Sequence, residues 1–525
     1  MMVELMRCRV QRLIMLLILG FTVAGSSADA GTARSHNYDA TPLASSSDIT
    51  GSLSLPSQFT CADAAVAEEE EEEVVVLSEL DLPGGAEVGA PNGAKAPLVE
   101  VELEPTLDPA ANAFVLICAI LVITMSVPGI ALFYGGLVRA KNVLSIMEQS
   151  LVFFSLSFVL WLVAGYSLSF GSASELASVS GLSDYLHLIV GDFNKAFLSG
   201  ISFETLSGAI SEYNFVIFQG AFCGIASLLI VGATVERIKF SALMLALTIW
   251  VLCSYVPLCH MVWGLGLIEQ TCAAYDFAGG TVVHINAAVA ALVGAKLVGA
   301  RTDLGKIALP PHALPLTFIG GGLLWIGWFG FNAGSALTPD GISALAFANT
   351  VFGPVGAALS WSIGEYCLNG KVSSLGTVSG VLAGLVAITP ACAFVGPVGA
   401  VVIGALSGLA CLWGVRGFKR LIKIDDSLDV FGIHGIGAIV GALLTGIFCS
   451  PSLGGTGFKG FHDDILSQFL GQLGSVVIAI IWSGVVALIA FKLASWCCHG
   501  LRVELDDERM GLDLSYHGER SYALN

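Results

Sequence analysis

The sequence predicts an all-α protein that crosses a membrane many times, and three observations support this fold class. Hydrophobic residues make up 55% of the 525 residues and charged residues only 12%, with a mean hydropathy of +0.81. Ordinary soluble domains carry about 25% charged residues, so this composition is typical of a polytopic membrane protein. Apolar stretches of roughly 20 residues, which suffice to cross a bilayer as a helix, recur from Pro109 onward. In addition, one spacing of ionisable residues occurs twice among these stretches.

Eleven apolar stretches are expected to form transmembrane helices. The 62 glycines of the chain fit such a bundle, because small residues let transmembrane helices approach each other closely. The approximate bounds of the stretches are 112–135, 145–170, 215–234, 241–262, 279–299, 315–334, 343–366, 376–394, 398–415, 430–449 and 473–496.

The short connections between these stretches predict the orientation of the chain. Cytoplasmic loops of membrane proteins carry an excess of Lys and Arg. Such residues follow every odd-numbered stretch from the first to the ninth, namely Arg139, Lys141, Arg237, Lys239, Arg301, Lys306, Lys371, Arg416, Lys419, Arg420 and Lys423. The connections after even-numbered stretches hold only Lys195 and Lys459. We therefore expect a plasma or inner membrane protein with its amino terminus outside and its tail, 501–525, in the cytoplasm.

The residues before the first stretch are expected to lie outside the transmembrane domain, which we place at 109–500. Three arginines precede the apolar run Leu13–Val23 and small residues follow it, so residues 1–30 are expected to be a signal peptide. Residues 31–108 are rich in Ser, Ala, Gly and Glu and are expected to be a disordered, acidic, extracytoplasmic extension. Much of the net charge of −18 lies in this extension and in the tail, so it indicates no nucleic-acid partner.

The repeated spacing joins an aspartate to a histidine. Asp276 lies eight residues before His284, and Asp426 lies eight residues before His434. An ionisable residue in the hydrocarbon layer is costly, so each histidine is a functional hypothesis. Asp276 precedes the fifth stretch from outside and Asp426 the tenth from inside, which predicts an inverted five-plus-five repeat. Eight residues rise about 12 Å along a helix, so both histidines would reach the middle of a layer about 30 Å thick.

Each of these residues also has a purely structural explanation. A single histidine on an apolar helix is more often a satisfied core residue, and an aspartate before a helix commonly caps it. The matched pair favours function for His284 and His434, whose ring nitrogens could hydrogen-bond each other. We expect Asp426 to orient its helix and Asp276 to combine a structural with a functional role.

Cysteine usage suggests no further chemistry. The thirteen cysteines are scattered through apolar segments without regular spacing, so most are expected to be small buried hydrophobes. Neither a metal site nor a cofactor is expected. Cys497 and Cys498 follow the last apolar stretch and are either unmodified interfacial residues or sites of palmitoylation.

Seven segments follow one another along the chain: "PGIALFYGGLVRAKN", "ATVERIKFSA", "HMVWG", "DFAGGTVVHINAA", "GWFGFNAGSAL", "TPACAFVGPVGA" and "DVFGIHGIGAIVGALLTGIF". In this order they resemble the ammonium transporter family in its bacterial form. The resemblance covers about 109–525. It implies eleven helices, an inverted repeat, and a homotrimer in which every subunit has its own pore for ammonium or ammonia.

The resemblance also implies the site residues. The outer recruitment site, where the cation would be bound, corresponds to Phe218, Phe222, Trp263 and Ser335, with Asp276 nearby to stabilise the cation. Phe222 and Phe331 correspond to the stacked rings that close the entrance, and His284 with His434 to the pair that lines the pore. Ammonium would lose its proton near the phenyl rings, and ammonia would continue alone. The tail resembles one that couples subunits and helps receive a PII-class signalling protein.

Several alternatives remain open at this point. An aromatic residue such as Phe218 in a transmembrane helix is usually filler against lipid or core. Gln219 could make a packing hydrogen bond, and Trp328 could either support the pore or merely pack. The substrate could be another small neutral molecule, as in the related Rhesus proteins. The histidines could instead ligate a metal or haem in a membrane enzyme, or the chain could sense ammonium rather than transport it.

Overall fold

The computed structural model describes residues 105–171 and 183–522, all within a unit that spans 103–525. The helices of the bundle are α1 (Pro109–Leu137), α2 (Ala140–Phe170), α3 (Glu212–Thr234), α4 (Phe240–Trp263), α5 (Gly280–Val298), α6 (Leu314–Ala336), α7 (Gly341–Asn369), α8 (Ser374–Ile388), α9 (Pro397–Ile422), α10 (Phe431–Phe448) and α11 (Ile465–Cys497). The tail adds α12 (Leu505–Met510) and α13 (Leu512–His517). An antiparallel hairpin of β1 (Leu206–Ser207) and β2 (Ile210–Ser211) precedes α3, and single-turn helices lie at Ser183–Leu186 and Leu267–Cys272.

The predicted all-α, multi-pass membrane fold is confirmed. Within the described ranges, ten helices are long and apolar enough to cross a membrane, whereas α8 is a shorter apolar helix of 15 residues. The count of eleven spans and the inverted repeat therefore stay predictions. The predicted signal peptide and almost all of the predicted extension lie outside the described residues.

Helix ends differ from the predicted bounds where polar residues or a proline decide them. α11 begins at Ile465, well before 473, because Asp464 and Ser467 form a reciprocal capping box. α9 continues past 415 through a basic turn. α8 ends at Ile388, before the predicted 394, because Pro390 follows and proline cannot continue a helix. Hydropathy alone detects none of these signals.

The helices of the bundle pack at very different depths. In the most apolar stretch of α3, 89% of the residues are buried, compared with 33% in α11, so α3 lies at the centre and α11 faces outward. Close approach depends on glycine where α7 meets α9. A Cβ atom added at Gly404 would overlap the Gly353 carbonyl oxygen. Small residues at such crossings replace the hydrophobic driving force that is missing inside a membrane.

A buried cluster of charges joins the loops at one end of the bundle. Arg139 forms an ion pair with Glu236 at 2.9 Å, and Arg301 donates two hydrogen bonds of 2.9 Å to the Asp425 carboxylate. Arg237 donates to the Asp425 carbonyl oxygen at 2.6 Å. Burial raises the pKa of Asp425, but the Arg301 hydrogen bonds and the Arg237 charge outweigh burial and lower this pKa to about 2. The loop that leads into α10 is thereby fixed to the loops after α3 and α5.

Candidate functional site

Three phenyl rings meet between α3 and α6. Phe218 and Phe222 lie one turn apart on α3, with ring centroids 5.0 Å apart in an edge-to-face contact. Phe222 stacks on Phe331 of α6 at 4.1 Å and an interplanar angle of 17°. All three side chains are buried. The structure thus brings together the rings that the family resemblance assigns to an outer site and to the closure behind it.

Trp263 completes this aromatic group at the end of α4. Its ring meets Phe222 edge-on at 6.1 Å, and its indole nitrogen donates to the Asp276 carbonyl oxygen at 2.8 Å. Ser335 is linked to the group through Phe331, because its hydroxyl donates to the Phe331 carbonyl oxygen at 2.9 Å. The hydroxyl oxygen keeps its capacity to accept a hydrogen bond.

The Asp276 carboxylate caps the start of α5. It accepts hydrogen bonds from the backbone N–H groups of Gly279 (3.1 Å), Thr281 (2.9 Å) and Val282 (3.1 Å). Both oxygens are therefore engaged with the backbone, and the side chain is buried. This geometry supports the structural part of the mixed role expected for Asp276.

Asp426 performs the same local task for α10. Its carboxylate accepts from the N–H groups of Val430 (3.0 Å) and Phe431 (2.8 Å). In both helices the capped turn is π-helical and contains the histidine of the repeated spacing. π-helical turns are frequent at functional sites, since they re-aim the side chains that follow. Asp426 thus has hydrogen bonds suited to orienting its helix. An aspartate that caps a π-helical turn with a histidine occurs in each half of the chain.

The two histidine rings are in direct contact. Their Nδ1 atoms lie 3.2 Å apart and their ring centroids 5.3 Å apart. One Nδ1 must donate to the other, which leaves both rings neutral in the simplest arrangement. Nε2 of His284 is buried and has no hydrogen-bond partner among the described residues. It is therefore available to a small polar molecule.

Trp328 supports the His284 ring from behind. The two rings stack at 5.3 Å with an interplanar angle of 16°. The indole nitrogen of Trp328 donates to the Thr389 hydroxyl at 2.8 Å, which anchors the indole to α8's carboxyl end. Trp328 thus packs on this ring and also lines a small cavity beside it, and its support of a pore stays a prediction. Thr389 was missed by sequence reasoning, because nothing local distinguishes it from other threonines in apolar segments.

A narrow cavity follows the phenyl stack. Its free volume is about 10 Å³ for the centre of a water molecule, which is room for about one water. His284, His434, Trp328 and Tyr134 line it together with six aliphatic or phenyl side chains. These residues come from both halves of the chain. On α3, the carbonyl oxygen of the Gln219 side chain is buried and has no hydrogen-bond partner among the described residues.

The fold and this site define a class of protein: a polytopic membrane protein with a small, mostly apolar cavity that is lined by two histidines in contact with each other. The family model described as Ammonium Transporter Family matches residues 113–522. The chain belongs to this family.

Curated relatives and solved structures agree with this assignment. The chain is 40% identical over 413 residues to an ammonium transporter of Bacillus subtilis, covering 78% of this chain and 98% of that protein. It is 40% identical over 426 residues to an ammonium transporter of Aquifex aeolicus, covering 80% and 95%. Candida albicans Mep2 superposes with a TM-score of 0.67 at 29% identity, covering 76% and 88%. A structure titled Sensor Amt Protein superposes with a TM-score of 0.69 at 27% identity, covering 78% and 98%. The curated relatives are transporters rather than enzymes.

Proposed function

We propose that this protein transports ammonium across a cell membrane by binding the cation at the outer aromatic group, removing its proton, and passing ammonia along the histidine pair. The observation that carries this proposal is the 3.2 Å contact between His284 and His434 directly behind the stacked rings of Phe222 and Phe331. The family membership of the chain gives the substrate.

The outer group suits a small cation. Aromatic faces attract a cation through their quadrupoles, and a desolvated ammonium gains about 2 kcal/mol in this way. Trp263, Phe218 and Phe222 provide such rings, and the Ser335 hydroxyl oxygen can accept one N–H bond from the ammonium ion. Asp276 adds negative charge behind Trp263 without contacting the substrate. The aspartate therefore acts through its field and through the capped start of α5.

The passage behind the phenyl stack suits ammonia better than ammonium. A cavity of about one water leaves no room for a hydration shell, and an unsolvated charge in apolar surroundings costs many kcal/mol. Neutral ammonia avoids this cost. It can donate to the free Nε2 of His284 and move on to His434, while the proton travels separately. Hydrogen bonds to the histidine pair thus replace part of the hydrogen bonds to water that ammonia loses on entry.

We further propose the predicted orientation and assembly. The tail faces the cytoplasm and couples neighbouring subunits of a homotrimer, and it can take part in binding a PII-class protein. The docking of the tail supports this role: Lys141 donates to the carbonyl oxygens of Glu508 (2.8 Å) and Arg509 (2.6 Å). In addition, Asp513 caps the start of the α-helical part of α2 by accepting from the N–H of Ser145 at 2.8 Å. The tail is therefore tied to the loop that joins α1 and α2.

The histidine proposal is tested with the purified chain in liposomes. Ammonium-dependent current is recorded on a supported membrane and uptake is followed with an internal pH dye. The double variant His284→Ala/His434→Ala should lose or alter the current and lower transport at least tenfold, because the passage loses its hydrogen-bonding groups. His312→Ala, at the cytoplasmic end, is the matched control and should behave as the intact chain. Unchanged transport in the double variant would refute the role of the pair.

The outer site is tested by the half-saturating ammonium concentration. Trp263→Leu removes an aromatic face, and a loss of about 1.4 kcal/mol predicts a tenfold rise in this concentration. Trp496→Leu is the control, because Trp496 is 65% exposed at the end of α11. Equal effects of both variants would contradict the recruitment site. No ammonium-dependent current or uptake in the intact, folded chain would contradict transport and favour a sensor.

A further inference from the structure

His260 lies three residues before Trp263 on α4, and both of its ring nitrogens face carbonyl oxygens. Nδ1 lies 3.0 Å from the Ser169 carbonyl oxygen and Nε2 lies 2.8 Å from that of His187. The residue is only 1% exposed. A carbonyl oxygen can only accept, whereas a neutral imidazole has a single N–H to donate. Both hydrogen bonds therefore exist together only when the ring carries both protons.

The two carbonyl groups that face the ring require donors. Ser169 lies in the last turn of α2, where carbonyl groups lack partners within the helix and carry the negative end of the helix dipole. The Nδ1 proton of His260 therefore meets a helix carboxyl end. A ring with a single proton would turn a nitrogen lone pair toward one of the two carbonyl oxygens and leave that oxygen without this donor.

Most other titratable groups on the packed elements are already committed to partners or are neutral. The Tyr166 hydroxyl donates to Glu212 at 2.7 Å, and Glu269 forms an ion pair with Lys459 at 2.6 Å. The Asp276 carboxylate caps α5. Titratable groups on these elements include Tyr166 on α2, His187 and Asp192 in the segment before α3, Cys253, Tyr255 and Cys259 on α4, Glu269 and Cys272 on the following short helix, Asp276, and His284 on α5.

His260 connects three segments around Trp263. Its ring joins the end of α2 to residue 187, and its own carbonyl oxygen accepts from the N–H groups of Gly264 (2.9 Å) and Gly266 (3.1 Å). The turn after Trp263 is held in addition by a 2.7 Å bond from the Leu267 N–H to the Leu188 carbonyl oxygen. The orientation of the Trp263 indole therefore depends on the hydrogen bonds by which the His260 ring links these segments.

We propose that His260 is a positioning residue whose ring, with a proton on each nitrogen, donates to both carbonyl oxygens and holds Trp263 in place at the outer site. The effect on substrate binding rests on the proposed transport of ammonium, whereas the presence of both protons does not. Loss of either hydrogen bond releases one of the joined segments and loosens the Trp263 side of the site.

The protonation state is measured by solid-state NMR on the full chain in lipid, with ¹⁵N in the histidine rings and ¹³C in the serine carbonyl groups. Dipolar coupling to a serine carbonyl, provided by Ser169, assigns the His260 ring in the intact chain without any variant. We expect an imidazolium spectrum at pH 7 that disappears in His260→Gln. A neutral ring at pH 7 would overturn the proposal. This readout does not involve transport, so it is independent of the proposed function.

His312→Gln is the matched control for both measurements. The ring of His312 faces the Val138 carbonyl oxygen at 2.9 Å and the Tyr522 hydroxyl at 2.8 Å. Because a hydroxyl can donate as well as accept, a neutral ring satisfies both contacts. His312→Gln should therefore leave the imidazolium signal of His260 in place, and it should leave substrate binding at the outer site unchanged.

The positioning role is measured by the KM and kcat for ammonium at external pH 7. His260→Gln should raise KM about fivefold with kcat within twofold, because one amide nitrogen cannot reach both carbonyl oxygens. His312→Gln should keep the KM and kcat of the intact chain. The same KM in all three chains would overturn the positioning role.

Discussion

Replacement of Thr389 by valine tests whether the rear support of the histidine pair matters. The side chains have the same shape, but valine cannot accept the 2.8 Å hydrogen bond from the Trp328 indole. Trp328 is 1% exposed, so its N–H would be left unpaired in a dry interior. An unsatisfied buried donor costs about 1–3 kcal/mol. If the indole turns away to find a partner, the stacked His284 ring loses its support.

This cost sets the size of the expected effect. If the arrangement in which Trp328 stacks on His284 is destabilised by about 1–3 kcal/mol, its population relative to arrangements with the indole turned away falls roughly 5- to 150-fold. We therefore expect Thr389→Val to lower ammonium transport at least fivefold at saturating substrate. The half-saturating concentration should change little, since the outer aromatic group is untouched. The assay is uptake into liposomes, with thermal unfolding recorded in parallel.

Thr445→Val provides the matched control. Thr445 is also fully buried, and its hydroxyl makes the same kind of bond to a carbonyl oxygen one turn earlier, to Gly441 at 2.8 Å. Thr389 also donates such a hydrogen bond, to the Leu385 carbonyl oxygen at 2.8 Å. The two variants therefore differ in that only Thr389→Val loses a hydrogen bond from the Trp328 indole. Equal transport rates in both variants would refute the reasoning, whatever their unfolding temperatures.

Two further predictions concern the stability of the fold. The folded pKa of Asp425, about 2, lies below the ordinary 3.8, so its carboxylate stabilises the fold at pH values above about 4 and this contribution, about 2 kcal/mol, disappears as the pH falls toward 2. Asp425→Asn should therefore lower the unfolding temperature at pH 7. The difference in unfolding temperature between the variant and the intact chain should be smaller at pH 3 than at pH 7. The same difference at both pH values would contradict the Arg301 contact as its origin. Gly404→Ala should destabilise the packing of α7 on α9 by about 1–3 kcal/mol, because the new methyl group meets the Gly353 carbonyl oxygen. Gly322→Ala, where a Cβ meets nothing within 4 Å, should leave the unfolding temperature unchanged or raise it, and equal losses in both would exclude the overlap as the cause.

Much of the fold was predictable because its signals are local. The apolar stretches predicted the long helices in order, and the helix ends were wrong mainly where a polar cap, a basic turn or a proline decided them. Asp464 and Pro390 are examples of residues whose effect is visible in sequence once a helix is assumed. The six π-helical turns among the described residues were not predicted, since they depend on which backbone carbonyl each N–H reaches.

The sequence predicted which residues belong to the candidate site better than it predicted the contacts between them. Spacing along the chain suggested that His284 and His434 meet, although 150 residues separate them. Their ring contact through Nδ1, and the free Nε2 of His284, could not be derived from spacing. Nor could spacing reveal that the two Asp276 carboxylate oxygens accept hydrogen bonds from three backbone N–H groups.

The sequence by itself determined the membrane class, the order of the helices, the resemblance to the ammonium transporter family and the residues that its motifs mark. Hydrophobicity and periodicity are properties of neighbouring residues, and motifs keep their order along the chain. Only the tertiary structure decided that Trp328 bonds Thr389, 61 residues away, and that His260 bonds carbonyl groups 91 and 73 residues away. A hydrogen bond requires its two atoms to come within about 3 Å, and between distant segments only the packing of the helices brings them so close.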